Sequence, residues 1–203
     1  MKKFKKSKRI RQDKVGKGGK KEFTDNKDKC DISSLYYWGE KNILISSSWD
    51  SKVRLYDDST ADQEGSKRYS MKKHKDSVNF IDFKLSHQLC ASCSDDCTVV
   101  IYNYGSYRQE GILKVPIDST YKESSELKIC KFLSPSDCLV AADIDGFLHF
   151  FAVTPSPRKN EHLCKVSNFN TSQVGTQVNY PIRAMDFDSD NNILYTGDEM
   201  GYI

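Results

Sequence analysis

The feature that most constrains this 203-residue chain is a pattern that returns four times. Residues 44–57 (LISSSWDSKVRLYD), 90–103 (CASCSDDCTVVIYN), 139–152 (LVAADIDGFLHFFA) and 194–203 (LYTGDEMGYI) share one layout. Each is an apolar run, a tight polar turn and the start of a second run, which in the first three closes on an aromatic residue. The turn position falls at Asp50, Asp96, Asp145 and Met200, at spacings of 46, 49 and 55 residues. A further run precedes each unit, as ISSLYY, VNFIDF, LKICKF and PIRAMDF. Between runs stand Ser, Asp, Asn and Gly, which favour turns because they bond their own backbone or tolerate left-handed conformations. Apolar residues never sustain a helical period of about 3.6 beyond roughly ten residues, so the body is expected to be all-β.

Units of this length that each hold several strands predict a β-propeller, whose four-stranded blades repeat every roughly 40 to 45 residues before loop insertions. Three units supply four strands, and the fourth reaches Ile203 at the start of its third strand. The expectation is a partial β-propeller of about three and a half four-stranded antiparallel blades over residues 30–203. Its blades would run over about 31–72, 73–117, 118–170 and 171–203. Residues 1–29 stand apart, with 13 Lys/Arg against 4 Asp/Glu: that stretch is +9 and the remainder −6, which the net +3 conceals. Having no leucine and few apolar residues, it cannot bury enough surface to offset its ordering entropy, and is expected to be a disordered basic tail.

The units resemble the WD (Trp-Asp) repeat family over residues 31–203. That resemblance implies a buried hydrogen-bonded set in each blade: a His before the first strand, a Ser or Thr on the second, an Asp in the turn and a Trp on the third. The second unit has His74, Ser92 and Asp96, with Tyr102 in place of Trp. The first has Ser46, Asp50 and Tyr56, and its His position falls in the basic stretch and is missing. The third keeps Asp145, with Ala141 and Phe151 at the Ser and Trp positions, and the fourth keeps Thr196 but has Met200 for Asp. Residues 36–58 and 193–203 also resemble stretches of large cilia- and flagella-associated proteins that combine WD repeats with EF-hand segments. Such propellers usually close with about seven blades, and closure protects sheet edges. The chain is therefore expected to be a fragment of a longer protein, or alternatively to pair with another copy or another chain.

Several residue groups invite a chemical reading. His74, Ser92 and Asp96 have the types of a nucleophilic triad, but their spacing is also that of the structural set, and no G-x-S-x-G elbow accompanies them. Cys90, Cys93 and Cys97, with His87 nearby, suggest zinc, since clustered thiolates can close a tetrahedral site. Alternation along a strand, however, sends Cys90 and Cys93 to opposite faces. Residues 186–197 (DFDSDNNILYTG) begin like a calcium loop, yet Asn191 stands at the glycine position and Gly197 at that of the bidentate Glu. SWDS (48–51) and DIDG (143–146) read as turns. No phosphate loop or dinucleotide fingerprint is present. The expectation is a non-enzyme with no metal and no cofactor.

A propeller of that kind works by presenting loops and faces, so a scaffold binding other proteins is expected. The long connections Asp58–Lys67, Asp118–Glu126, Thr154–Glu161 and Thr171–Tyr180 are its candidate contacts. The basic tail could hold an acidic partner, either tubulin or RNA, the latter giving the alternative of a nuclear RNA-associated or ribosome-assembly factor. SPRK (156–159) is a candidate phosphorylation site. No apolar run approaches the roughly 18 to 20 residues that cross a bilayer, so no membrane is expected. Seven scattered cysteines favour reduced thiols inside the cell, in cytoplasm, cilium or cytoskeleton before nucleus.

Overall fold

The computed structural model describes residues 30–57, 67–116, 125–153, 161–167 and 180–203. The first antiparallel sheet runs β1 (Ile32–Trp38), β2 (Ile43–Ser48), β3 (Val53–Asp57) and β4 (Lys67–Met71) in sequence order. The second holds β5 (Val78–Lys84), β6 (Leu89–Ser94), β7 (Thr98–Asn103) and β8 (Arg108–Lys114). The third holds β9 (Leu127–Phe132), β10 (Cys138–Asp143), β11 (Phe147–Ala152) and β12 (Glu161–Ser167), and the fourth has β13 (Ile182–Asp188) and β14 (Ile193–Asp198). One turn of 3-10 helix, Leu85–His87, is the sole helical element among the described residues. The chain is thus an all-β partial propeller, as its repeat predicts.

The repeat is visible in the backbone bonds. Trp49 N–H donates to Asp31 O, Asp95 to Ser77, Ile144 to Glu126 and Glu199 to Pro181, at 2.9 to 3.1 Å and each across 18 residues. These ties pin each tight turn to the start of its own first strand. Inside the turns, Ser51, Cys97, Gly146 and Gly201 have φ of 66°, 64°, 79° and 87°. A left-handed residue is therefore built into every copy, and only the last two use glycine, which adopts it without steric cost.

Strand alternation gives each sheet two apolar faces, and the core lies between neighbouring sheets. Ile45, Val53, Leu55 and Met71 of the first pack against Ile81, Cys90, Val100 and Tyr102 of the second. The other face of the second sheet meets the third through Ala91, Cys93, Val99 and Ile101 against Cys130, Leu139, Ala141 and Phe151. Val140, Ala142 and Leu148 then cover Ile182, Met185 and Leu194 of the fourth. Each large side chain fully buried this way contributes about 1.5–3 kcal/mol, so the boundaries carry most of the stability. First strands β1, β5, β9 and β13 approach one another and form the inner row.

Polar ties cross the same boundaries. Lys84, almost wholly buried, sends Nζ to Ser136 O at 2.8 Å and to Asp137. Asp82 accepts the Phe132 N–H at 2.7 Å, and Lys128 lies 2.6 Å from Asp95. Burial pushes the Asp82 carboxyl up, against the opposing pull of that N–H and of Lys131. The long connections expected to bind partners, and the 1–29 and SPRK segments, lie largely or wholly outside the described residues.

Candidate functional site

In the second unit, β6 and the β6–β7 turn bring Ser92 and Asp96 to His74, which sits on the connection before β5. His74 Nε2 is 2.8 Å from Ser92 Oγ, and Nδ1 is 3.0 Å from Asp96 Oδ2. With Nδ1–H donating to the carboxylate, Nε2 is left to accept the Ser92 hydroxyl. Asp96 also accepts the Lys75 N–H at 2.8 Å, the Thr98 N–H at 3.1 Å and the Thr98 hydroxyl at 2.6 Å. Burial opposes ionisation of Asp96, but the His74 and Thr98 hydrogen bonds outweigh it and hold the carboxyl far below the usual range.

By distance alone this is a Ser–His–Asp triad. Burial argues otherwise: His74 is 3% exposed and Ser92 0%, on the strand face that packs against the first blade beside Cys90, Val100 and Tyr102. A hydroxyl in that position cannot reach a substrate carbonyl without separating two blades. What the three residues can do is fasten the connection at 74–75 to the turn at 96–98. Tyr102 is buried against the same group, and burial raises its hydroxyl pKa, with Ser92 pulling the other way.

The other units solve the same problem with different residues. Ser46, Ser92 and Ala141 pair across the sheet with Arg54, Val100 and His149. In the first unit, where no His precedes β1, Arg54 takes both Asp50 oxygens, with Nη1 3.1 Å from Oδ1 and Nη2 on Oδ2. Burial raises the Asp50 carboxyl, and Arg54 together with Lys52 more than reverses that. Ser46 is buried on β2 with no hydrogen-bond partner for Oγ, and Tyr56 is only half-buried. The resemblance therefore assembles Asp50 into a tie, but not with Ser46.

In the third unit the structure corrects the assignment of Asp145. That residue is exposed and accepts a hydrogen bond from Ser125 at 2.5 Å. The buried acid is Asp143, which accepts the Asp145 N–H at 3.0 Å, the Phe147 N–H at 2.8 Å and His149 Nε2 at 2.8 Å. The fourth unit repeats the device: Asp198 accepts the N–H groups of Met200 and Tyr202, each at 3.0 Å. In the first two units the entry residues are Ser48 and Ser94, which cap only Asp50 and Asp96, so a second Asp is needed further on. DIDG and DEMG share the form D-x-x-G, in which a glycine takes the left-handed position and the bonded acid stands at the turn entry.

The remaining motifs separate. Cys90 faces the first blade and Cys93 the third, while Cys97 sits in the turn with Sγ 3.6 Å from Asp95 O. Burial pushes the Cys90 thiol up to about 12. Among the described residues no three His, Cys, Asp or Glu side chains are placed to hold a metal ion. Asp186 of the calcium-like stretch faces Lys131 at 3.1 Å, and Asp188 caps its own turn through the N–H groups of Asp190 and Asn191.

Residues 20–57 and 65–103 each match the model of the WD40 family, described as "WD domain, G-beta repeat". The first match begins within the stretch read as tail. The structure is similar to the crystal structures of two computationally designed proteins, Ika4 and Ika8. Ika4 is 19% identical, with a TM-score of 0.60 over 85% of this chain and 88% of that one. Ika8 is also 19% identical, with a TM-score of 0.59 over 84% of this chain and 43% of that one. No curated protein matches the sequence. These matches reach the repeat and the fold, not the narrower ciliary resemblance.

Proposed function

We propose that this chain, two of whose units match the WD40 repeat, is a non-catalytic scaffold that binds other proteins through the rim formed by its tight turns. The carrying observation is that His74, Ser92 and Asp96 are consumed in fastening the fold, while the adjoining turns project large apolar groups outward. Trp49, Ile144 and Met200, at or beside the turn position of units one, three and four, are 52%, 38% and 60% exposed. Apolar groups presented on rigid turns suit recognition of a protein surface, where buried aromatic residues supply most of the affinity.

The test is capture of partners from lysate by the intact chain against a Trp49→Ala, Ile144→Ser double variant. Proteins retained by the first and lost from the second support the reading; identical recovery overturns it. An active-site serine probe should leave Ser92 unlabelled in the folded chain, and labelling would revive the reading of His74, Ser92 and Asp96 as a nucleophilic triad.

The +9 stretch favours an acidic partner, and the ciliary resemblance makes tubulin our choice, with an axonemal or microtubule-associated role in the cytoplasm or cilium. Co-sedimentation with microtubules that weakens steeply with salt and disappears on deletion of residues 1–29 supports this. Salt-sensitive binding of RNA instead of microtubules would favour the nuclear alternative.

A further inference from the structure

The three blade boundaries of this chain use one set of positions. Between the first two blades, Tyr36 stacks on Phe83 with ring centroids 4.1 Å apart, and the Ser33 hydroxyl donates to Val78 O. Between the second and third, the same two positions are Asp82, which accepts the Phe132 N–H, and Asn79, whose Nδ2 donates to Leu127 O at 2.8 Å. Between the third and fourth, Lys131 reaches Asp186 at 3.1 Å. On the fourth blade the corresponding donors and acceptors are Arg183 and Asp186, and no described blade follows them. On the first blade the matching receivers are the Ile32 carbonyl and the Tyr37 N–H, and no described blade precedes them.

The apolar positions obey the same register. Ile43 and Ile45 pack against Ile81, Phe83 and Cys90 inside the first boundary. Their counterparts at the far end are Ile193 and Tyr195, 44% and 48% exposed. The counterparts of the receiving residues are Leu35 and Tyr37, both 60% exposed, with Leu44. That exposure shows that the two faces do not meet within one copy.

We propose that the outward faces of the first and last blades are the two halves of one interface, and that this chain associates head to tail with a second copy of itself. Tyr195 and Ile193 of one copy cover Leu35, Tyr37 and Leu44 of the other. Asp186 receives the Tyr37 N–H as Asp82 receives that of Phe132. Charge favours the same pairing: residues 171–203 carry five acidic side chains against Arg183 alone, whereas the +9 stretch leads into β1. A head-to-tail contact joins two different surfaces, so it closes into a ring or extends.

Sedimentation velocity of the full chain tests this. The expected result is a species of twice 23.2 kDa, or a higher multiple, that grows with concentration. Tyr195→Glu and Leu35→Glu should each sediment as monomers, because each spoils one half of the contact. Mixed in equal amounts they should form a 1:1 dimer, because each supplies the half the other lacks. Cooperative thermal unfolding checks that both variants are folded, and Tyr195→Lys and Leu35→Arg replace either that is not. A folded wild type that stays monomeric would mean that something else, such as further blades of a longer chain, covers these faces, and it overturns the proposal. So does a single variant that still associates alone, or a mixture that stays monomeric.

Discussion

His149 Nε2 lies 2.8 Å from Asp143 Oδ2, with both residues buried, in a blade that has no serine opposite the histidine. The second blade reaches an equivalent end by other means, since its histidine arrives from the connection before β5 and Val100 occupies the position of His149. The first uses Arg54 at that position. In all three, a guanidinium or imidazole N–H donates to the acid that holds the tight turn. The requirement is for a buried donor, and sequence position is free to vary as long as the side chain reaches.

Removing the buried acid should therefore be costly and removing the exposed one should not. Asp143→Ala strands a buried imidazole and two turn N–H groups, and is expected to lose about 3 kcal/mol or more. Asp145→Ala is expected to stay within about 0.5 kcal/mol of the parent. Urea unfolding of the two variants measures the difference, and equal costs would restore Asp145 to the network.

Asp96 sets a pH dependence. Its folded carboxyl lies far below the ordinary 3.8, so the unfolded chain takes up the proton first. The stabilisation is complete above the unfolded value and is lost as pH falls below about 4 toward the folded value. Thermal melts from pH 5 to pH 2 should show a steeper decline for the parent than for Asp96→Asn, which has lost this contribution at every pH. Parallel curves would contradict the assignment.

The left-handed turn position gives a third expectation. Gly146→Ala places a Cβ at φ 79° and should cost about 1 kcal/mol, whereas Ser51→Gly relieves a strained non-glycine and should gain roughly 0.5 kcal/mol after its unfolded-state entropy is counted. Denaturant midpoints of the two variants should move in opposite directions.

The thiols should react in order of burial. Cys164 is exposed, while Cys90, Cys93 and Cys130 are buried. Iodoacetamide at pH 8 should modify Cys164 in the native chain and reach those three only in denaturant, as mass spectrometry of peptides would show. Rapid native modification of Cys90 would mean that the first boundary opens.

The fold was legible because it is periodic. Four turns at near-equal spacing, runs of alternating residues and the D-F ending that VNFIDF and PIRAMDF have in common leave few architectures that bury every run. Sequence likewise brought His74, Ser92 and Asp96 to one place, since their separations repeat those of a known set. It could not decide which of two acids in DIDG turns inward: both are Asp, two residues apart, on the edge of a strand. Only the paired strands settle that, because Asp143 ends β10 opposite buried β9 and Asp145 projects from the turn. Nor could sequence see Arg54 and His149 as substitutes for a missing histidine, or Lys84 tying two blades together, since these contacts join residues set by strand register and not by any local pattern. Periodicity along the chain determined what each blade is made of. Register between strands and blades decided which polar groups meet, because a buried charge accepts whichever partner the packing brings within reach.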